Sequence, residues 1–201
     1  MPSPDPSPGT RTRLIAAMSR ALQRRGLHGV GLTELLAEAQ APKGVLYHHF
    51  PGGKTELAVA AIEATAARIT GSLDQLITTR ADPVPMLRAW LAAARLQLEK
   101  SAFEQGCPLA TVALESTADD EALRHALAAA FAAIRQRLAA MLVGAGVAQA
   151  RARNLATLIV AAYEGALMQA RVAGHGQTLG DTAEALLALV QSEVESKGTD
   201  R

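Results

Sequence analysis

Apolar residues recur every three or four positions along nearly the whole chain, a period that predicts amphipathic helices and no strands. The first predicted helix, 10–25, carries Leu14, Met18 and Leu22 on one face, and Gly26 ends it. Further helices are predicted at about 32–39, 43–49, 54–79, 86–98, 108–116, 120–143, 148–172 and 181–195, between breaks rich in Gly and Pro. The fold class is therefore all-α, with about nine helices.

Composition and charge add an asymmetry to this picture. Hydrophobic residues make up 49% of the 201 positions, which is enough for a sizeable core, and the net charge is only +1. Residues 1–54, however, hold seven Lys and Arg against three Asp and Glu, a net charge of +4, while the remainder carries −3. A basic N-terminal part suits a polyanion such as nucleic acid, with chance scatter of charge as the alternative.

Three features indicate a cytoplasmic protein that does not enter a membrane. Cys107 is the only cysteine, so no disulfide can form within the chain, as is typical of a reducing compartment. Residues 1–9 are rich in Pro and Ser without an apolar segment, which predicts a disordered leader rather than a signal peptide. The stretch 155–170, taken as the most apolar, is interrupted by Thr157, Glu164 and Gln169 and is shorter than the ~20 residues of a membrane span.

The segment 32–57 predicts a DNA-binding function, because two short helices joined by a tight turn form a helix-turn-helix. The second helix of this motif lies in the major groove with its N-terminal residues on base edges. Lys43 can reach phosphate or the guanine acceptors, Gly44 allows close backbone approach, and Val45 can touch a thymine methyl. Leu46 and Phe50 are expected to face inward.

Four further side chains are candidates for phosphate contacts. Tyr47 and His48 offer donors for phosphate oxygens, and Lys54 stands at the start of the next helix, where free N–H groups attract an anion. Thr33 offers a hydroxyl in a similar position at the preceding helix. Taken singly, Tyr47 could be a half-buried aromatic and His48 part of a solvated pair, but the whole set in this order favours DNA binding.

The run Lys43-Gly44-x-Leu46-Tyr47-x-His49-Phe50, followed by Lys54 and Leu57, resembles the DNA-binding signature of TetR/AcrR transcriptional regulators over about residues 10–60. The resemblance implies the same recognition and phosphate contacts and a packing role for Phe50. Gly106-Cys107-Pro108-Leu109 and the 50–54 run are similar to the LmrA/YxaF-like branch. Three departures stand out: Gln40 replaces a usual glycine, Gly31 replaces a usual Ser or Thr cap, and 51–53 adds a residue.

The resemblance also implies an organisation and a set of partners. We expect a helix-turn-helix domain at 10–58, a fourth helix continuing to about 80 as a connector, and a ligand-binding and dimerisation domain at 84–196. The partners would be double-stranded operator DNA, a small-molecule effector and a second copy of the chain. The branch points to drug-like or flavonoid-like effectors and to a nearby efflux or detoxification gene, and no cofactor is expected.

Candidate residues for the effector are mostly aromatic or soft apolar side chains, which favours a flat or bulky apolar compound bound between the fifth, seventh and eighth helices. They are Trp90, Phe103, Cys107, Phe131, Met141, Tyr163, Glu164 and Met168. Most of these side chains could equally be core, Glu164 could sit on an exposed edge, and Cys107 could be a small buried hydrophobe. Candidate dimer contacts are the apolar stripes of the last two helices: Leu158, Ala162, Ala166, Leu186, Leu187, Val190 and Val194.

Two other classes of function fit less well. A cysteine-dependent enzyme would need a base beside its nucleophile, and His125 and His175 lie in no recognisable catalytic motif. A purely structural helical adaptor would not need the constellation from Lys43 to Lys54. The sequence therefore predicts a non-enzymatic DNA-binding regulator, most simply a repressor released by a ligand.

Overall fold

The computed structural model describes residues 9–79 and 82–196, and within these ranges every regular element is a helix. Of the predicted leader, residues 1–8 lie outside the described part. The helices are α1 (Thr10–Arg25), α2 (Leu32–Glu38), α3 (Lys43–His49), α4 (Gly53–Thr79), α5 (Pro83–Lys100), α6 (Pro108–Glu115), α7 (Glu121–Gly144), α8 (Gln149–Ala173) and α9 (Gln177–Glu195). The all-α prediction is confirmed.

α4 connects the two halves of the molecule because it packs against α1 at one end and against α5 and α7 further along. Leu57, Ala61 and Ile62 are fully buried near its start, and Leu73 is fully buried towards its end. Two surface ion pairs hold α2 to α1, Arg20 with Glu38 and Arg25 with Glu34. The first three helices therefore form a unit attached to the first turns of α4.

The core of the second half is built around α7, which packs against α4, α6 and α8, while α9 packs against α5 and α8. α7 is the one helix in the described ranges that is long and apolar enough to cross a membrane, by length and composition alone. The stretch expected from the sequence to be the most apolar, 155–170, lies in α8 instead. Leu127, Ile134 and Leu138 of α7 are buried inside the protein, so its apolar character is explained by core packing.

α9 begins four residues earlier than predicted, at Gln177 rather than about Asp181. Glycines at this point are typical of a break between helices, which is why the predicted start was later. Gly180 lies inside the helix, where a Cβ would be 3.4 Å from Arg95 Nη1, and a Cβ on Gly176 would be 3.1 Å from Arg95 Nε. These glycines therefore make room for the Arg95 side chain of α5, a tertiary contact that local pattern does not show.

Gln40 occupies the turn between α2 and α3 with φ of 49°, the left-handed conformation that favours glycine. The Gln40→Gly variant is expected to raise the free energy of unfolding by about 1 kcal/mol, because the strain of a side chain in this conformation is relieved. Urea denaturation measures the change. Gln136→Gly, at an exposed position inside α7, is the matched control and should lower stability by about 1 kcal/mol. Equal destabilisation by both variants would contradict this account of the turn.

Candidate DNA interface and effector cavity

α3 separates its side chains into an outward and an inward set. Lys43, Gly44, Tyr47 and His48 are exposed, and Val45 is half-buried at their edge. On the opposite side Leu46 and Phe50 are 0% and 1% exposed, so the prediction that they face inward is confirmed. Thr33 is also exposed and lies with Gln40, Pro42 and Lys43 along a groove between α2 and α3. The predicted contact residues therefore share one accessible surface, which we call the recognition surface.

The orientation of α3 is fixed from α1. The Arg13 side chain donates from Nε to the Ala39 carbonyl oxygen at 3.1 Å, which ties α1 to the turn before α3. The Arg11 guanidinium lies 5.2 Å from the centre of the Phe50 ring, a cation–π contact at the other end of α3. Both arginines contribute to the net positive charge of residues 1–54, so part of that charge also holds α3 in place.

The Tyr47 ring lies close to Gly53 at the start of α4, immediately before Lys54. Gly53 has φ of 67°, and a Cβ on it would lie 3.3 Å from Tyr47 Cε1, so a glycine suits both the turn and the ring. Partial burial lowers the pKa of Lys54 from its ordinary value, while the Glu115 carboxylate of α6 opposes that change. The start of α4 is already partly capped, because the Gly52 N–H donates to Glu56 Oε2 at 2.7 Å. A phosphate bound here would contact the Lys54 ammonium close to the Glu56 carboxylate, because not all of the N–H groups at the start of α4 are free.

A second concave site lies between α6, α7 and α8, with a volume of about 380 Å³, and we call it the effector cavity because it is the candidate site for the expected effector. Its size is within the range of small-molecule sites. Four of the predicted effector residues line it, namely Cys107, Phe131, Glu164 and Met168. Sequence reasoning missed other lining residues, among them Gly106, Leu114, Leu167 and Arg171. Gly106 lies in the segment before α6, and the helical spacing of Leu114, Leu167 and Arg171 does not distinguish a cavity wall from core or surface.

The remaining four predicted effector residues do not line this cavity. The Trp90 and Tyr163 rings pack on each other with centroids 4.7 Å apart, which fills the space between α5 and α8. Met141 is buried, and Phe103 is half-buried in the segment after α5 with φ of 64°. The cavity that holds the other four predicted residues therefore lies between α6, α7 and α8, whereas the expected location was between the fifth, seventh and eighth helices.

Glu164 and Cys107, together with Thr111 and Arg171, form the polar part of the effector cavity. Burial raises the pKa of Glu164 to about 7, and a hydrogen bond with the Cys107 thiol partly opposes this change. Burial also raises the pKa of Cys107 well above its ordinary value, and the Glu164 carboxyl adds to the increase. The thiol is therefore protonated at neutral pH, unlike the thiolate of a nucleophilic or redox-sensing cysteine.

The structure corrects the reason given for the predicted dimer contacts on α9. Leu186, Leu187 and Val190 are at most 4% exposed inside a single protomer, so a monomer does not leave them open to solvent. On α8, Ala166 is likewise buried and Ala162 is half-buried, as is Val194 on α9. Leu158 remains accessible at 47%, followed along the same helix by Met168 at 54% and Val172 at 85%. The exposed apolar stripe of α8 is therefore Leu158, Met168 and Val172.

Comparisons with known proteins agree with this geometry. Residues 14–61 match the model for bacterial regulatory proteins of the tetR family, and residues 83–185 match the C-terminal domain of LmrA/YxaF-like transcriptional regulators. The HTH-type regulator YxaF of Bacillus subtilis is 31% identical over 79% of this chain and 83% of its own length. LmrA of the same organism is 29% identical over 85% and 90% respectively.

The fold has a counterpart among solved structures as well. A TetR regulatory protein from Rhodobacter sphaeroides superposes with a TM-score of 0.78 and 26% identity, covering 89% of this chain and 97% of that one. A helix-turn-helix with an exposed recognition helix, joined to a larger helical domain, defines a DNA-binding transcriptional regulator. The chain belongs to the TetR family, with a C-terminal domain of the LmrA/YxaF-like type.

Proposed function

We propose that this regulator is a homodimeric repressor that binds its operator through two α3 helices and leaves it when a small apolar or aromatic effector enters the effector cavity. The observation that carries the proposal is a set of contacts joining the cavity walls to the end of α1. The expectation of a cytoplasmic protein, which rests on composition as well as on the family, accompanies this proposal, as does that of a nearby efflux or detoxification gene, which rests on the family resemblance alone.

Two of these contacts involve residues that line the effector cavity itself. The Gly106 N–H donates to the Gln23 carbonyl oxygen at 3.1 Å. The Arg171 guanidinium donates from Nη2 to the Arg24 carbonyl oxygen at 2.8 Å. Gln23 and Arg24 belong to the last turn of α1, so the cavity wall and the DNA-binding domain share hydrogen bonds directly.

A third contact joins the end of α6 to the segment after α1. Glu115 Oε2 accepts hydrogen bonds from the Leu27 and His28 N–H groups at 2.5 and 3.3 Å. A Cβ on Gly26 would lie only 1.9 Å from Glu115 Oε1, so the two segments approach as closely as glycine permits. The Glu115 carboxylate also acts on Lys54, a predicted phosphate contact.

These contacts support a short route from effector to DNA. An effector that shifts α6 or α8 would move the end of α1, and the ion pairs and Arg13 would carry α2 and α3 with it. In a dimer, the distance between the two recognition helices sets the fit to two half-sites. By linkage, operator DNA must weaken effector binding by the same factor as effector weakens DNA binding.

Fluorescence polarisation on labelled DNA from upstream of the protein's own gene tests the proposal. Specific binding should be reversed by an aromatic compound that also raises the melting temperature of the free protein. Glu115→Ala should bind that compound as the wild type does yet need several-fold more of it for release, because one contact of the route is lost. Glu104→Ala, an exposed change just before α6, is the control. The proposal fails if no compound both stabilises the protein and displaces it.

The dimer gives a separate prediction. Leu158→Asp and Val172→Asp, in the exposed apolar stripe of α8, should produce folded monomers with at least tenfold weaker operator binding, because a buried charge opposes association and one half-site is lost. Light scattering and circular dichroism measure mass and helicity. Ala92→Asp, exposed on α5, is the control. Leu187→Asp should instead unfold the protomer, since that site is core. Unchanged dimers in both α8 variants would exclude this stripe as the interface.

A further inference from the structure

Glu164 carries a buried carboxylate oxygen that has no hydrogen-bond partner. It is Oε2, and it is the one buried side-chain polar atom without a partner in the described ranges 9–79 and 82–196. The residue lies on α8 in the wall of the effector cavity, and the Cys107 thiol supplies its side-chain hydrogen bond. A buried polar atom left unmatched costs free energy, so its retention in a cavity wall points to a partner that arrives with a ligand.

Within residues 9–79 and 82–196, no side chain acts as a counter-ion for this carboxyl. Glu164 takes part in none of the ion pairs found among the residues that the structure describes. Arg171 is the basic side chain of the cavity wall, and its guanidinium is bonded to the Arg24 carbonyl oxygen. The other ionisable neighbours, Cys107 and Tyr163, have pKa values raised by burial and are neutral at pH 7.

Apart from Thr111 and Arg171, the rest of the lining is apolar, and it gives the shape of the missing ligand. Leu114, Phe131, Leu167 and Met168 form walls around the carboxyl, and the space of about 380 Å³ admits a body of one or two rings. Apolar walls with a single unmatched acceptor suit a compound that has a hydrophobic body and one donor group. An acceptor-rich or anionic compound would place like charge or lone pairs against Oε2.

We propose that the effector is a lipophilic amine whose protonated nitrogen donates to Glu164 Oε2 while its apolar body contacts Phe131, Leu167 and Met168. This inference rests on the proposed function, because it names the chemical class of the effector at that same site. An ammonium group is preferred to a neutral donor because a charge-assisted hydrogen bond is the stronger one and supplies the absent counter-ion.

Proton linkage follows from the position of Glu164. Burial raises the pKa of this carboxyl to about 7, so at pH 6 most of the free protein carries a proton there. An ammonium beside the carboxylate favours ionisation, and binding at pH 6 should therefore release close to one proton per amine. A neutral donor, which does not require the ionised form, should release far less.

Three probes of matched size separate the contributions: 4-phenylbutylamine, 4-phenylbutan-1-ol and pentylbenzene. Binding to the full-length protein is measured by calorimetry in two buffers of different ionisation enthalpy. We expect the amine to bind at least tenfold more tightly than the alcohol, and the hydrocarbon to bind most weakly. Glu164→Gln should remove the preference for amine and its proton release while leaving the alcohol bound. Glu63→Gln, an exposed carboxylate on α4, is the matched control.

Several outcomes would overturn the inference: equal affinity for amine and hydrocarbon, an amine preference that survives Glu164→Gln, or no binding of any probe at millimolar concentration. Operator displacement, measured separately, distinguishes this inference from the proposed function. If the amine binds through Glu164 without releasing DNA, the inferred class of ligand is supported and the proposed release of DNA by an effector is contradicted. If neutral aromatic compounds release DNA while the amine shows no preference, release stands and the ligand class is wrong.

Discussion

Lys43→Ala is expected to weaken operator binding about tenfold and to change the preference at one base position. Lys43 is exposed at the first position of α3, where a recognition helix meets base edges, and its ammonium has no ion-pair partner among the described residues. One cation in contact with a base edge or phosphate contributes on the order of 1–3 kcal/mol. Fluorescence polarisation with single-base operator variants measures both the loss and the change in preference.

Tyr47→Phe and Lys54→Ala should behave differently from Lys43→Ala. Both side chains are placed for phosphate contacts at the junction of α3 and α4, so affinity should fall by a similar factor on specific and unrelated DNA. The dependence of log affinity on log salt should become shallower by about one for Lys54→Ala. Lys100→Ala, which removes an exposed charge at the end of α5, is the control for net charge. Wild-type affinity in Lys43→Ala, Tyr47→Phe and Lys54→Ala alike would show that the protein binds DNA through another surface.

Glu164→Gln is expected to stabilise the protein at pH 8.5 and to change stability little at pH 5. The folded protein holds the pKa of this carboxyl at about 7, raised by burial from an ordinary value of 4.5. Because the raised pKa favours the protonated form, the wild type loses stability as the pH rises from about 4.5 through 7. A pKa difference of this size corresponds to on the order of 3 kcal/mol. Cys107 and Tyr163 remain neutral over this range and Arg171 remains charged, so they do not obscure the effect.

Urea denaturation at the two pH values measures this difference. The variant minus wild-type free energy of unfolding should be positive at pH 8.5 and close to zero at pH 5. Glu63→Gln provides the comparison with an exposed carboxylate and should show little difference at either pH. A Glu164→Gln variant that is equally destabilised at both pH values would mean that the carboxylate has a partner in solution, and this pH account would then be wrong.

The spacing of apolar residues along the chain was sufficient to predict the helices and the exposed face of α3. The three-to-four residue period and the Gly and Pro breaks predicted α3 at its observed bounds, and most other helices within a few residues. The exposed set around Lys43 and the buried set of Leu46 and Phe50 could be predicted because residues three or four positions apart share one face of a helix. Gln40 was noted as a departure from glycine, but its left-handed conformation became evident only in the folded turn.

The sequence by itself determined the helical fold, the family and the side of α3 that is exposed, because each depends on residues close together in the chain. Only the tertiary structure decided which apolar faces are covered within one protomer, and so limited the exposed stripe, expected on both α8 and α9, to α8. It also decided that Glu164 Oε2 lacks a partner, that Arg171 reaches the end of α1 from 147 residues away in the chain, and that Glu115 reaches the segment after α1 from 88 residues away. Burial and such long-range hydrogen bonds depend on how helices pack in space, and helical periodicity carries no information about which helices meet.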